Sequence, residues 1–248
     1  MPKIFPSKPQ VSWPQDEGVI GVVGVAPWAT LDFLTSLYSL VPASKDWHFP
    51  RVISDINTKI PSRGRYLELG ERDPVPYIQE TICELTTMGA NVVVVPCNTA
   101  HILYDRWSLG ASIPVPSIIE AVVADIKHNH VNKIAVLASS AVNKYKIYHK
   151  ALSESGISAV TLNASQQNVV STVIENIKIN GKLSIESMSL VDHLLAELIN
   201  SGVDGVILGC TELKSLEDRC KYHALHVYES NKSLARVALK IANVNLID

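Results

Sequence analysis

The chain has 248 residues, 47% of them hydrophobic and 19% charged, with a formal net charge of −2. That length suffices for one large core or two small ones, and the nearly balanced charge gives no reason to expect nucleic acid or an anionic membrane as partner. No apolar run approaches the ~20 residues that span a bilayer, and the opening stretch holds Pro2, Pro6, Pro9 and Pro14 without an apolar signal-type segment, so residues 1–17 are expected to be a flexible arm.

In chain order, residues 18–25 form an apolar run bounded by glycines, suited to a strand buried on both faces. Residues 27–40 follow with helical spacing, Pro27 fitting a first helical turn. A strand over 51–57 leads into a loop carrying Lys59, Arg63 and Arg65, placed where strand hands over to helix. Residues 76–89 read as a helix capped by Gly89, with Cys83 as packing. A strand at 92–95, the turn at Cys97, a helix through about Trp107, an extended proline-bounded piece at 113–116 and a helix over 118–129 complete the first part. The second part reads as strand 133–138, helix 142–155, strand 157–162, helix 169–180 stopped by Gly181, helix 187–201, strand 203–208, strand 224–228 and a closing helix 234–241. Alternation of this kind means an α/β protein with parallel sheets.

The chain also repeats itself. Residues 92–101 read Val-Val-Val-Val-Pro-Cys-Asn-Thr-Ala-His and residues 206–212 Val-Ile-Leu-Gly-Cys-Thr-Glu, each a buried-strand run ending on a cysteine followed within two residues by a threonine. Gly89 and Gly202 lie equally far ahead of Cys97 and Cys210, and the apolar runs at 19–24 and 133–138 repeat at nearly the same offset. The expected architecture is two similar domains, each a parallel sheet flanked by helices, related by a pseudo-dyad with the active site between them. The expected division is 18–116 plus 229–248 for one and 117–228 for the other. Ligands of parallel α/β sheets bind beyond the C-terminal ends of the strands, where both cysteines fall.

The four cysteines, at 83, 97, 210 and 220, show neither a C-x-x-C pair nor zinc-like spacing. Free thiols in a reducing cytoplasm are expected, and no metal site. A thiol near a helix N-terminus becomes more acidic, because unpaired N–H groups and the dipole favour an anion. A thiolate on one face of a bound molecule and a thiol on the other make a base and an acid, and moving a proton through that pair inverts a carbon centre. Such a racemase or epimerase needs no cofactor.

Pro96-Cys97-Asn98-Thr99-Ala100-His101 and Gly209-Cys210-Thr211-Glu212-Leu213 resemble the two signatures of the aspartate/glutamate racemase family, which works without pyridoxal phosphate. The stretch from Ile20 to Phe33, the segment Asn57-x-x-Ile60-Pro61-Ser62-Arg63 and the pair Lys178 and Gly181 resemble three further elements of that family. The resemblance implies paired α/β domains, a homodimer, and an amino acid substrate such as aspartate or glutamate. It assigns Cys97 and Cys210 as the acid/base pair, Asn98, Thr99 and Thr211 as donors to the α-carboxylate, and Arg63 and Lys178 as partners of a side-chain carboxylate.

Several positions depart from the family pattern. The opening loop Gly24-Val25-Ala26-Pro27 lacks one glycine and one residue, Lys59 stands where many relatives carry glutamine, Ser139 and Val142 stand where two threonines are expected, and Glu229-Ser230 where Asp-Ser or Asp-Thr is common. Lys59 and Ser139 are carried as substrate-binding candidates; the departures predict a substrate that need not be aspartate or glutamate, and the extra cation at Lys59 favours an acidic or more heavily charged amino acid. His101, four residues past Cys97, would share a helical face with the thiol; it and Glu212 are candidate auxiliaries. The 113-residue offset from Cys97 to Cys210 pairs His101 with Lys214, so the flanks of the thiols are unequal. Two alternatives stay open: a cysteine-dependent lyase or isomerase on an unsaturated or dicarboxylic acid, and a non-catalytic amino-acid-binding protein.

Overall fold

The computed structural model describes residues 17–127, 129, 131–180 and 183–247; the expected proline-rich arm (apart from Glu17), Gly181 and the side chain of Lys178 lie outside what it describes. The first half contains strands β1 (Ile20–Val23), β2 (Val52–Asp55) and β3 (Val92–Val94) and helices α1 (Pro27–Ser39), α2 (Arg63–Leu69), α3 (Val75–Thr87) and α4 (Tyr104–Trp107). The second contains α5 (Ile118–Lys127), β4 (Lys133–Ala138), α6 (Ser140–Lys144), α7 (His149–Glu154), β5 (Ser158–Val160), α8 (Ala164–Asn180), α9 (Ile185–Asn200), β6 (Gly205–Gly209), α10 (Glu217–Tyr222), β7 (His226–Glu229) and α11 (Ser230–Ile241). Among the described residues, no helix is long and apolar enough to cross a membrane.

The strands form two all-parallel sheets, ordered β2-β1-β3 and β5-β4-β6-β7. The second sheet repeats the first and adds β7. Even the register repeats, since Ile20 lies opposite Val92 in one sheet and Ile134 opposite Gly205 in the other.

Strand residues alternate faces, and here both faces are apolar. Ile20, Val22, Val92 and Val94 point with Ile134, Val136 and Ile207 into one continuous cluster, filled by Phe33 and Leu37 of α1, Ile118, Val122 and Ile126 of α5, and Leu234 and Leu239 of α11. Val23 and Val93 face outward under Ile78, Ile82 and Leu85 of α3 and Trp107. Ala135, Leu137, Val206 and Leu208 face outward under α8 and α9. Each fully buried aliphatic side chain contributes roughly 1.5–3 kcal/mol, so the middle cluster joining the two sheets is a large share of the stability.

Helix starts and stops follow local chemistry. Pro27 occupies the first turn of α1, the Asp73 carboxylate accepts from Val75 N–H at 3.0 Å beside α3, and Gly89 beyond that helix takes φ +101, which glycine alone adopts without strain. Gly24 serves a different need. A Cβ there would sit 2.8 Å from Thr30 Oγ1 and 2.9 Å from Asp55 O, so the end of β1 passes too close to β2 and α1 for any side chain.

Two expectations are corrected. The single helix over 142–155 is two helices, α6 and α7, broken where Lys146 takes φ +50. The break turns Tyr148 fully into the core, where its hydroxyl donates to Asn98. The segments after both cysteines open as 3-10 turns, Ala100–Leu103 and Thr211–Leu216, and only then become α-helix in α4 and α10. A macrodipole is therefore weaker there than expected, and the local N–H groups carry the electrostatic effect.

Candidate active site

The C-terminal ends of β3 and β6 open on one cleft of about 270 Å³ whose lining includes Cys97 from the first half and Cys210 from the second. Both thiols are half-buried and free of disulfides. The opening loop (Val25, Ala26), the start of α2 (Arg63), the Ser139 cap of α6 and Asn231 of α11 complete the wall. Gly209 precedes Cys210 because an added Cβ would press on Ala138 Cβ at 3.0 Å, which keeps β6 tight against β4.

The two thiols have different neighbours. Cys210 Sγ donates to Glu212 Oε2 at 2.9 Å, and Thr211 Oγ1 donates to the same oxygen at 3.0 Å. Glu212 is thereby within reach of the Cys210 proton. On the other side, His101 is buried and accepts from Ile118 N–H through Nε2 at 3.1 Å, while Nδ1 bonds the Cys97 carbonyl at 2.9 Å. An N–H can only donate, so Nε2 is the bare nitrogen and Nδ1 carries the proton. Burial, outweighing the carbonyls of Cys97 and Pro116, lowers the imidazole pKa to about 4. His101 lies outside the cleft lining and packs edge-on against Trp107; it fastens the Cys97 turn and the neutral ring has no proton to spare.

Asn98 is only 7% exposed and both ends of its amide are engaged, Nδ2 donating to Ser230 Oγ at 2.9 Å and Oδ1 accepting from Tyr148. Its side chain is thus a brace between halves, in a residue that also lines the cleft. Thr99 Oγ1 and Ser139 Oγ stand 3.3 Å apart, one from each half, both in the lining. Arg63 lines the cleft with its guanidinium folded over main-chain carbonyls: Nη1 donates to Pro61 O at 3.1 Å and Nη2 to Val25 O at 3.3 Å, while its buried Nε has no partner among the described residues. Lys59 is exposed and outside the lining, so its ammonium gives no reason to expect an acidic substrate. The Lys178 side chain is not among those described.

Residues the sequence did not single out as site residues also line the cleft. Glu68 of α2 accepts from Ser140 Oγ at 3.4 Å across its mouth. Asn231 donates to Asp32 Oδ2 at 2.9 Å. Asn231 follows the Glu229-Ser230 pair already noted as unusual, and that adjacency was the available signal. Cys220 is fully buried and its thiol is pushed up to about 12, first by burial, so it is packing. Among the described residues, no group of three or more His, Cys, Asp or Glu could hold a metal ion.

The family model for Asp/Glu/Hydantoin racemase matches residues 20–238. The chain belongs to that family. This racemase-family chain is 27% identical over 153 residues to the broad specificity amino-acid racemase RacX of Bacillus subtilis, covering 62% of this chain and 65% of that one. It is 26% identical over 185 residues to the glutamate racemase of Shewanella woodyi, covering 72% and 66%. The matches thus span just under two thirds of the length of these curated relatives. In fold it superposes on the Picrophilus torridus aspartate racemase with a TM-score of 0.82 at 24% identity, covering 93% of this chain and 96% of that one. The glutamate racemase of Campylobacter jejuni gives 0.62 at 20% identity, covering 93% and 88%.

Proposed function

We propose that this protein is a cofactor-independent amino acid racemase in which Cys97 and Cys210 act as base and acid on opposite faces of the α-carbon. The observation that carries this reading is the shared cleft: two thiols, each from the same place in a repeated sheet, line one small cavity. One thiolate removes the α-proton, the other thiol returns a proton to the opposite face, and the roles exchange for the other enantiomer. The α-proton is a weak acid, so the negative charge developing on the α-carboxylate needs preorganised donors. The N–H groups around Asn98 and the hydroxyls of Thr99 and Ser139 are the candidates, joined by Thr211 when its hydroxyl turns from Glu212 to the substrate. Glu212 takes and returns the Cys210 proton. The protonated substrate amine adds positive charge beside the forming carbanion.

The substrate in this proposal is an acidic amino acid such as aspartate or glutamate, with Arg63, and Lys178 by family resemblance, facing the distal carboxylate. A homodimer, a cytoplasmic setting and the division into units 18–116 plus 229–248 and 117–228 belong to the same proposal.

The test is a panel of L- and D-amino acids in deuterium oxide, following loss of optical rotation together with mass gain. Racemisation with one deuterium incorporated is expected, strongest for an acidic amino acid, and Cys97→Ala and Cys210→Ala should each abolish racemisation. Binding without deuterium incorporation would sink the reading. The unequal flanks, with a carboxylate on Cys210, favour a single-nucleophile lyase or isomerase as the second reading. A covalent adduct on one cysteine alone, seen by intact mass, would decide for it.

A further inference from the structure

Four residues beyond Cys210, within the turn Thr211–Leu216, Lys214 reaches away from its own half. Its Nζ lies 2.9 Å from Asp32 Oδ1 and 3.1 Å from Ser36 Oγ, both on α1 of the first half, and 3.6 Å from Glu229 Oε1 at the end of β7. Asp32 and Ser36 are one helical turn apart and present one face to the ammonium. Ser36 Oγ in turn donates to Glu229 at 3.2 Å, and the other oxygen of Asp32 accepts from Asn231, which lines the cleft. Glu229 is only 8% exposed, and its carboxyl is raised above the usual range first by burial, with Lys214 opposing.

The repeat makes the contrast sharp. Lys214 occupies the position that His101 holds after Cys97. His101 fastens its turn by neutral hydrogen bonds to main chain, to the Cys97 carbonyl and to Ile118 N–H at the start of α5. Lys214 fastens its turn by charge to side chains, to Asp32 and Ser36 of α1 and to Glu229. Remove the ammonium and two carboxylates are left facing each other without their shared cation, a costly arrangement for partly buried charge. The turn that carries Cys210 then loses its anchor to α1, while the Cys97 turn keeps both of its own.

We infer that Lys214 is a positioning residue that straps the Cys210 turn to α1 through Asp32, Ser36 and Glu229, and so sets the reach of that thiol alone. This rests on the racemase reading for its catalytic consequence. The strap itself is a statement about the Cys210 turn and has a readout without turnover.

The test compares wild type with Lys214→Met in two measurements. In deuterium oxide, initial exchange is followed separately from each enantiomer of the best substrate, with Cys210→Ala showing which enantiomer depends on Cys210. Lys214→Met is expected to slow that enantiomer's exchange about tenfold more than the other's, and Lys214→Arg to restore much of the balance. Independently, iodoacetamide labelling with peptide mapping, referenced to exposed Cys83, should shift severalfold at Cys210 and stay constant at Cys97. Equal effects on both enantiomers and an unchanged Cys210 labelling ratio would overturn the strap. Wild type that exchanges no amino acid would sink the racemase reading instead, and the labelling ratio alone then decides for or against the strap. Ser36→Ala, which deletes only the bridging hydroxyl, serves in the same two measurements if Lys214→Met does not fold.

Discussion

Ile118 N–H and His101 Nε2 meet at 3.1 Å, and that bond fixes the imidazole as a neutral ring. The consequence is a pH dependence of stability. The folded pKa, about 4, lies below the ordinary 6.5, so the contribution of neutral His101 is fully present above pH 6.5 and is lost as pH falls from there toward 4. A shift of that size is on the order of 3 kcal/mol. Urea melts between pH 7 and 4.5 should show this loss, and His101→Phe should flatten the profile. An unchanged slope in the variant would refute the assignment.

Glu212→Gln keeps the shape beside Cys210 but removes the base within reach of its proton. Positioned acid/base groups contribute about 10²–10⁴-fold, and Glu212 acts behind a thiol that is already a proton donor. If the proposed proton relay holds, turnover is expected to fall by roughly 10–100-fold with KM little changed. Steady-state kinetics in both directions checks this.

Tyr148→Phe leaves Asn98 Oδ1 buried without its donor. The expected cost is about 1–3 kcal/mol, the penalty for one unsatisfied buried polar group, read as a lower denaturation midpoint at unchanged slope. Because Asn98 is the brace between halves, activity should fall as well.

Lys59, in the loop before α2, and Arg63, at the start of that helix, should behave differently. Arg63→Ala is expected to raise KM for an acidic substrate roughly tenfold or more, the size of one charge-assisted hydrogen bond. Lys59→Ala, an exposed position outside the cleft, is expected to leave KM within about twofold. Equal effects of the two would contradict the geometry.

Gly24→Ala places a methyl against Thr30 Oγ1 and the Asp55 carbonyl. Two of the close neighbours are backbone, so the opening loop must shift. A loss of about 1–3 kcal/mol is expected, with a rise in KM because Val25 and Ala26 line the cleft.

Much of this was readable in the residues. Uninterrupted Val/Ile/Leu runs identify strands apolar on both faces, and the matched Gly-to-Cys spacing located both thiols on equivalent sheet ends. What could not be read was anything decided by contacts between distant segments. Lys59 reads as a cleft cation because it falls in the stretch 57–63 that resembles the family's substrate-side loop. Asn57 Oδ1 accepts the Lys59 N–H at 3.1 Å within that loop, and the lysine side chain ends in solvent. The pattern over 142–155 is helical throughout, yet burying Tyr148 against Asn98 breaks it. His101 was legible as a neighbour of Cys97 but not as a residue whose every ring nitrogen is spent on main chain.

The aliphatic cluster shared by both sheets bears on how a molecule gets in. Swinging the two halves apart as rigid blocks would tear Phe33, Leu37, Ile118 and Leu234 away from their common packing. Glu68 and Ser140 meet by a solvent-facing hydrogen bond, whose net contribution of about 0.5–1.5 kcal/mol makes it a far easier place to part than that shared packing.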